Sequence, residues 1–416
     1  MNYFEKYMGL TEREVAKLLL ERMEAVNYEG LDPSAIRFNP RFLRLVSMGS
    51  QLGIIHRAWK SFLYRTLYYT GHRINSLLCP EKLIYAKGLG LVLSTIAHLR
   101  LSSDDLEEQA SLLSKADNVI RILEEKQMTT CCLWSHDYDY QIRDTLVTTA
   151  VPNLITTAFV ALGFWDLWVA TGIYVHRERF LAIVNDMLEV FPVVENNDSL
   201  CFMYTPVTDY HVHNANLIMC ELLARCYYLN ENFGKEDLLG KAVKYSIDDF
   251  FCTKSFPYAG APTVNYSLDN YHTGYVLRSL YSINRYAPLL VAPYNIEEII
   301  NYGVQFYIKN FIIDDFVCRD RSGLLETHSL AESILFLKTF SSRLTEEQFD
   351  KLQTAISLTA LELWSSKKQY FINNSKPILL GIKLKDKSDM IRWSQAWMAF
   401  ALSYKPIRIE GRVEKV

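Results

Sequence analysis

Five short stretches concentrate the side chains that could do chemistry. They are Cys132–Arg143 (CLWSHDYDYQIR), Asp209–Asn214 (DYHVHN), Leu268–Gly274 (LDNYHTG), Glu326–Ser329 (ETHS) and Arg392–Trp397 (RWSQAW). Four of them hold five of the nine histidines: His136, His211, His213, His272 and His328. Epimerisation or elimination beside a sugar carboxylate needs a partner for the carboxylate, a base for the adjacent proton and an acid that returns or delivers one. His213 and His272 are the candidate bases and Tyr271 the candidate acid. Asn214, Arg143 and Arg392 are candidate holders of the carboxylate, the guanidinium groups by bidentate pairing. His213 and His272 also fit a second role, as helix-capping side chains bonded to neighbouring backbone.

Glycoside hydrolysis needs two carboxyl groups instead, about 5 Å apart for retention or 6.5–9.5 Å for inversion. Asp137, Asp139, Asp269 and Glu326 supply candidates. In an extended segment Asp137 and Asp139 point the same way, about 7 Å apart at the backbone, with Asp139 as the catalytic carboxylate. Capping of the next helix and pairing with Arg143 is their alternative role, and Asp269 directly before Asn270 fits an N-cap. Trp134 and Tyr138, interleaved with these groups, offer flat faces for a sugar ring; Asp137, Asp269 and His328 complete the expected binding set. His211-Val-His213 with Asp209 has the residue types for a metal. No HExxH or Cys/His ligand spacing accompanies it, so no metal is expected. Neither GxxxxGK[ST] nor a GxGxxG following a strand occurs, and no cofactor is expected.

These stretches are placed by helices. Periodicity is helical almost throughout, with strand signals weak. Mostly apolar helices begin near residues 85, 150, 212, 271, 328 and 392, 57 to 65 residues apart, each followed by a more charged one. An inner apolar helix paired with an outer amphipathic helix, repeated six times, predicts an all-α (α/α)6 toroid of six helical hairpins. Helices apolar all round need cover on both sides, which favours a closed ring over an open superhelix. The five stretches sit at the starts of the inner helices. A ring gathers those ends at one mouth, where free N–H groups favour an anionic ligand. The expected layout is an N-terminal helical extension with first hairpin elements over 1–78, the toroid over 79–404, and a solvated tail over 405–416.

Composition excludes several classes. The 416 residues carry 44 Lys+Arg against 47 Asp+Glu, a formal charge of −3, which argues against a nucleic-acid binder. Half the residues are apolar and 26 are tyrosine, incompatible with disorder. The eight cysteines are scattered through apolar helical stretches and read as free thiols in a reducing compartment. The N-terminus lacks an apolar run before a small-residue cleavage site, so a cytoplasmic location is expected. Residues 151–175 imitate a membrane span, yet Asn153, Thr156, Thr157 and Asp166 fit a buried inner helix better, and no transmembrane span is expected.

The motifs together resemble the VpsJ-like proteins of bacterial surface-polysaccharide gene clusters. The resemblance runs from about Tyr85 to Tyr404. It rests on Trp134…Asp137-Tyr-Asp139…Arg143, Pro152-Asn153 with Thr156–Val160, His213-Asn-Ala-Asn216, Asp269–Gly274 and Arg392–Trp397. Where that family commonly has Trp-Gly-Tyr, this chain has Trp134-Ser135-His136. The resemblance implies a fold like that of six-hairpin glycosidases, uronate lyases and sugar epimerases. It further implies a carbohydrate partner, free or carried on a nucleotide or lipid.

Overall fold

Six helices with almost no solvent-facing side line the centre of the molecule, most of their length buried whether apolar, small or polar. The computed structural model describes residues 9–33, 39–48, 53, 55–63, 81–142, 145–196, 198–229, 234–261, 265, 267–377 and 383–406. In chain order the helices are α1 (Glu12–Ala25), α2 (Pro40–Ser47), α3 (Ala86–Leu101), α4 (Leu106–Lys126), α5 (Leu154–Thr171), α6 (Tyr174–Val190) and α7 (His213–Tyr228). They continue with α8 (Glu236–Thr253), α9 (Asn270–Tyr286), α10 (Ile296–Phe311), α11 (Thr327–Phe340), α12 (Glu346–Leu363) and α13 (Trp397–Ser403), the last entered through a π-helical turn, Ile391–Ala396. The inner helices α3, α5, α7, α9, α11 and α13 pack side by side in that order, and α13 returns to α3. The ring is closed: the fold is an (α/α)6 toroid.

Each inner helix is backed by an amphipathic outer one: α4 on α3, α6 on α5, α8 on α7, α10 on α9 and α12 on α11. The sixth outer place is taken by α1, which buries Val15, Ala16, Leu19, Leu20 and Met23 against α13. The segment expected as an N-terminal extension thus packs as a wall of the ring. Arg13 pairs with Glu108 of α4 at 2.7 Å on one side, and Glu12 with Lys338 of α11 at 2.9 Å on the other.

Helix starts follow local chemistry. Asp105 caps α4 by accepting from Glu107 N at 2.9 Å, Asn153 caps α5 through Thr156 N, and capping boxes open α1 and α12. The inner helix α5 is, among the described residues, the one long and apolar enough to cross a membrane. It lies within the ring, with 78% of its length buried.

The two ends of the ring differ. Inner-to-outer connections are short, as at 102–105 and 172–173. The outer-to-inner ones are long and fold into antiparallel hairpins: β3 (Tyr140–Ile142) with β4 (Thr145–Val147), β5 (Val193–Asn196) with β6 (Ser199–Phe202), β7 (Ile312–Ile313) with β8 (Phe316–Val317), and β10 (Trp364–Ser365) with β11 (Tyr370–Phe371). A three-stranded sheet joins β9 (Leu325–Glu326), β12 (Asn374–Pro377) and β13 (Lys383–Asp386), while β1 (Glu29–Gly30) pairs with β2 (Leu83–Ile84). These loops surround the N-terminal ends of the inner helices, and that end is the mouth.

Candidate active site

Aromatic rings line the mouth in a continuous arc. Tyr210, Tyr258, His272, Tyr271, His328 and Trp393 follow one another with centroids 6.0, 4.5, 4.5, 4.5 and 4.4 Å apart. Beyond Trp393 the Arg392 guanidinium bridges to Tyr85, which meets Tyr138, itself stacked on His136 at 5.4 Å. One helical turn deeper, Phe159, Tyr275 and Trp397 form a floor. The helices set this layering: Tyr271 and Tyr275 on α9, and Trp393 and Trp397 at the start of α13, are pairs four residues apart on one face.

Two titratable groupings interrupt the aromatic surface. Asp269, the N-cap of α9, accepts the His272 backbone N–H at 2.9 Å with one oxygen and holds His272 Nδ1 at 2.7 Å with the other. Burial pushes the Asp269 carboxyl up, but the His272 charge and hydrogen bonds, with Arg319 beside it, outweigh burial and hold it below the usual range. An ionised carboxylate only accepts, so the proton between the two is carried by His272 Nδ1. The His272 side chain keeps 25% of its surface exposed.

Glu326, the N-cap of α11, is the second grouping. Its Oε1 accepts from Trp393 Nε1 at 3.1 Å and lies 3.6 Å from Arg319, while the buried Oε2 has no hydrogen-bond partner. Burial raises this carboxyl, with Arg319 opposing. Between the groupings, His328 is stacked on Tyr271 and Trp397, and its Nε2 meets the Tyr275 hydroxyl. Burial, reinforced by Arg392, pushes the His328 imidazole far below its ordinary range, so it is neutral. Its Nδ1 is buried and unbonded.

The structure brings Tyr271, His272, Asp269 and His328 together, with Tyr138 on the far arc. Other expected residues are engaged elsewhere. His213 is fully buried between α7 and α8, with Nδ1 on Ser246 at 3.0 Å and Nε2 on Asp249 at 2.7 Å, so it ties two helices together and has no nitrogen left to act as a base. Asn214 beside it is buried, its Oδ1 unbonded. Trp134 is no sugar platform: it is buried and donates to the Leu123 carbonyl at 2.8 Å. Asp137 caps α3 through Ala86 N at 3.2 Å and pairs with Lys126 at 2.6 Å; burial raises it and these partners oppose. Asp139 is exposed and accepts from Thr149 N at 2.9 Å, a loop bond without a carboxylate partner role. Arg392 is buried against Asp32, Nε to Oδ2 at 2.5 Å, so its fork is already filled by a protein carboxylate. Arg143 and Cys79 lie outside the described residues; the other seven cysteines are free. His211 pairs with Asp209 at 2.7 Å and lies, like His213, against the Tyr245 ring, and among the described residues no group of three or more potential ligands could hold a metal ion.

Two groups at the mouth, Lys87 and Asp32, escaped the sequence reading. Lys87 had a signal, as the lone charge in the first turn of an apolar helix. Asp32 had none, since it meets Arg392 across 360 residues of chain. His136, already named with its motif, touches Thr156 Oγ1 at 3.3 Å, and burial first, then Arg392, depress its imidazole.

No family model matches the chain, and no curated protein matches it. Solved structures do. The cellobiose 2-epimerase of Spirochaeta thermophila superposes with a TM-score of 0.54 at 11% identity, over 76% of this chain and 85% of that one. A D-mannose isomerase gives 0.55 at 11%, over 77% and 86%. A glycoside hydrolase of family 105 from C. acetobutylicum gives 0.52 at 12%, over 76% and 92%. At such identities the likeness is one of fold, and it is the closed six-hairpin toroid described above.

Proposed function

We propose that the protein is a carbohydrate-active enzyme that abstracts a proton from a sugar carbon, in the manner of an epimerase or lyase. The observation that carries this reading is the His272–Asp269 pair, an oriented and partly exposed imidazole set into an aromatic wall. His272 Nε2 takes the proton beside a carbonyl or carboxylate, and Asp269 stabilises the imidazolium that forms. Glu326, whose carboxyl burial pushes up, is placed to donate towards the oxygen on which charge develops. Tyr271 and Trp393 offer faces to the ring of the sugar. The solved structures of similar fold include a sugar epimerase and an isomerase, which supports the reading by analogy. Resemblance to VpsJ-like proteins supports a place in bacterial surface-polysaccharide biosynthesis, in the cytoplasm, on a nucleotide- or lipid-carried sugar.

With Arg392 engaged by Asp32, Arg319 is the cation best placed for a uronate carboxylate, 5.6 Å from the Tyr271 ring. One observation favours hydrolysis as the second reading: burial pushes the Glu326 carboxyl up while the nearby Asp269 carboxyl is held down, the asymmetry a glycosidase needs. Incubation in deuterated water with mannose, glucose, cellobiose, glucuronate and short uronate oligomers, followed by proton NMR, separates these. Loss of the C2 or C5 proton signal, absent in His272→Asn, is the expected result. New reducing ends without exchange would transfer the assignment to hydrolysis, and neither change across the panel would refute both.

A further inference from the structure

Lys87 is aimed at the floor of the mouth and, among the described residues, has no carboxylate within ion-pair distance, Asp32 and Glu332 being paired with arginines instead. It stands in the first turn of α3 with 6% of its surface exposed. Its Nζ lies 4.5 Å from the Phe159 ring centroid, 5.3 Å from Trp397 and 5.7 Å from Tyr275. Those rings belong to α5, α13 and α9, and a side chain of α3 that reaches all three points down the axis of the ring. We propose that Lys87 is a nucleophilic amine that forms an imine with the carbonyl of an open-chain sugar or other aldehyde bound at the mouth.

Every charged or titratable neighbour bears on the state of that amine. Arg392 on the π-helical turn opposes a second positive charge; its partner Asp32 and Glu332 of α11 favour one. Asp32 and Glu332 are already matched by Arg392 and Arg278. His136 and His328, also near, are both held neutral. Burial is the largest effect and lowers the Lys87 ammonium well below its ordinary range. The three rings pull the other way, by about 0.5–2 kcal/mol for a cation–π contact, while burial of a lysine moves it by as much as roughly 3–5 pH units. The opening of α3 adds its positive end to the same side of the balance. Burial is the largest of these effects, and the amine that faces the axis holds its proton less tightly than a surface lysine does.

The step balances without a further reagent. The Lys87 nitrogen pair attacks the carbonyl carbon, the C=O π pair moves to oxygen, and that oxygen takes up the proton shed by nitrogen. The carbinolamine then accepts one proton and loses water, leaving a protonated imine; water reverses it. In an aldose this cation acidifies the neighbouring C–H, the bond the proposed function requires to break. The sugar's identity rests on that reading; the amine's reactivity does not.

The test uses the full-length folded chain at pH 7 with sodium cyanoborohydride, which transfers hydride to the imine carbon and fixes a secondary amine. D-Mannose and glyceraldehyde are the two aldehydes, and peptide mass spectrometry reads the site. Lys87 should be alkylated on the order of a hundredfold faster than surface lysines, whose amines are almost wholly protonated at that pH. Labelling by both aldehydes supports the amine and the sugar site together. Labelling by glyceraldehyde alone supports the amine and counts against the sugar reading. Surface labelling without Lys87 overturns the proposal. Lys87→Arg and Lys87→Met, checked for folding by thermal melting, should abolish the labelled peptide and leave the surface pattern unchanged.

Discussion

Asp269 does two jobs that different substitutions can separate. Asn is as good an N-cap as Asp, so Asp269→Asn keeps α9 capped while removing the charge that fixes the His272 tautomer. Turnover should fall by about 10²–10⁴-fold, and the urea midpoint should fall only by what the Asp269 charge contributes to the fold. Asp269→Ala should lose the same activity and a further ~1 kcal/mol of stability from the missing cap. The pH dependences have opposite signs. The Asp269 carboxyl is depressed in the folded chain, so its contribution is complete above its unfolded range near pH 4 and is lost as pH falls below it. The Glu326 carboxyl is raised, so the folded chain holds the extra proton and stability falls as pH climbs through the interval above its unfolded range. Glu326→Gln should therefore lose activity yet raise the melting temperature, and the gain should be larger at pH 8 than at pH 5. An equal gain at both would show that its burial costs nothing in the charged form.

At the scale of elements, α3 and α5 approach most closely, and two glycines make this possible. A Cβ on Gly90 would lie 2.5 Å from the Phe159 carbonyl oxygen, and one on Gly163 2.7 Å from the Gly90 carbonyl oxygen. Both obstacles are backbone, so neither can swing aside. Gly90→Ala and Gly163→Ala should each cost about 2–3 kcal/mol in urea unfolding, and the double variant less than the sum, since the first Cβ already separates the helices. The packing role of Gly90 was legible from its place in an apolar helix. So were the inner helices themselves: starts expected near 85, 150, 212, 271, 328 and 392 fall at 86, 154, 213, 270, 327 and 391. An all-round apolar surface leaves a helix no stable place except inside, which is why the period survives in the sequence. What did not survive is rotation. Successive residues in a helical first turn point about 100° apart. Packing alone decided that His213 turns outward to Ser246 and Asp249 while His272 keeps one nitrogen at the mouth. Arg392 was misjudged for a related reason. Its register comes from a π-helical turn, and its partner Asp32 belongs to a segment that nothing in the local pattern links to α13.

Ring closure is the property of the whole molecule, and it depends on bringing residues near the start of the chain onto residues near its end. The α1 helix fills the sixth outer place, the Glu29–Gly30 strand pairs with Leu83–Ile84 before α3, and Gly30 crosses so near Ile391 that any Cβ there would overlap it. Asp32 then meets Arg392, both buried, next to the aromatic arc. Cutting one partner of such a pair leaves a desolvated charge, at a cost of about 3–5 kcal/mol, whereas replacing both with apolar groups of similar volume is often close to neutral. Asp32→Asn should thus destabilise strongly and Asp32→Leu with Arg392→Met much less, a difference that a double-mutant cycle in urea reads directly. The single variant should also impair the mouth, because Arg392 spans Trp393 and Tyr85 in its wall. If the double variant regains stability but not turnover, the pair orders the mouth as well as the ring. If it regains both, the pair acts only as a closure. A chain beginning at residue 33 provides the larger test: it strips α1 from α13 and exposes Val15's whole docking surface. Cooperative unfolding should then give way to a broad transition, whereas a sharp one would mean that five hairpins and an uncovered α13 hold the toroid without a sixth outer helix.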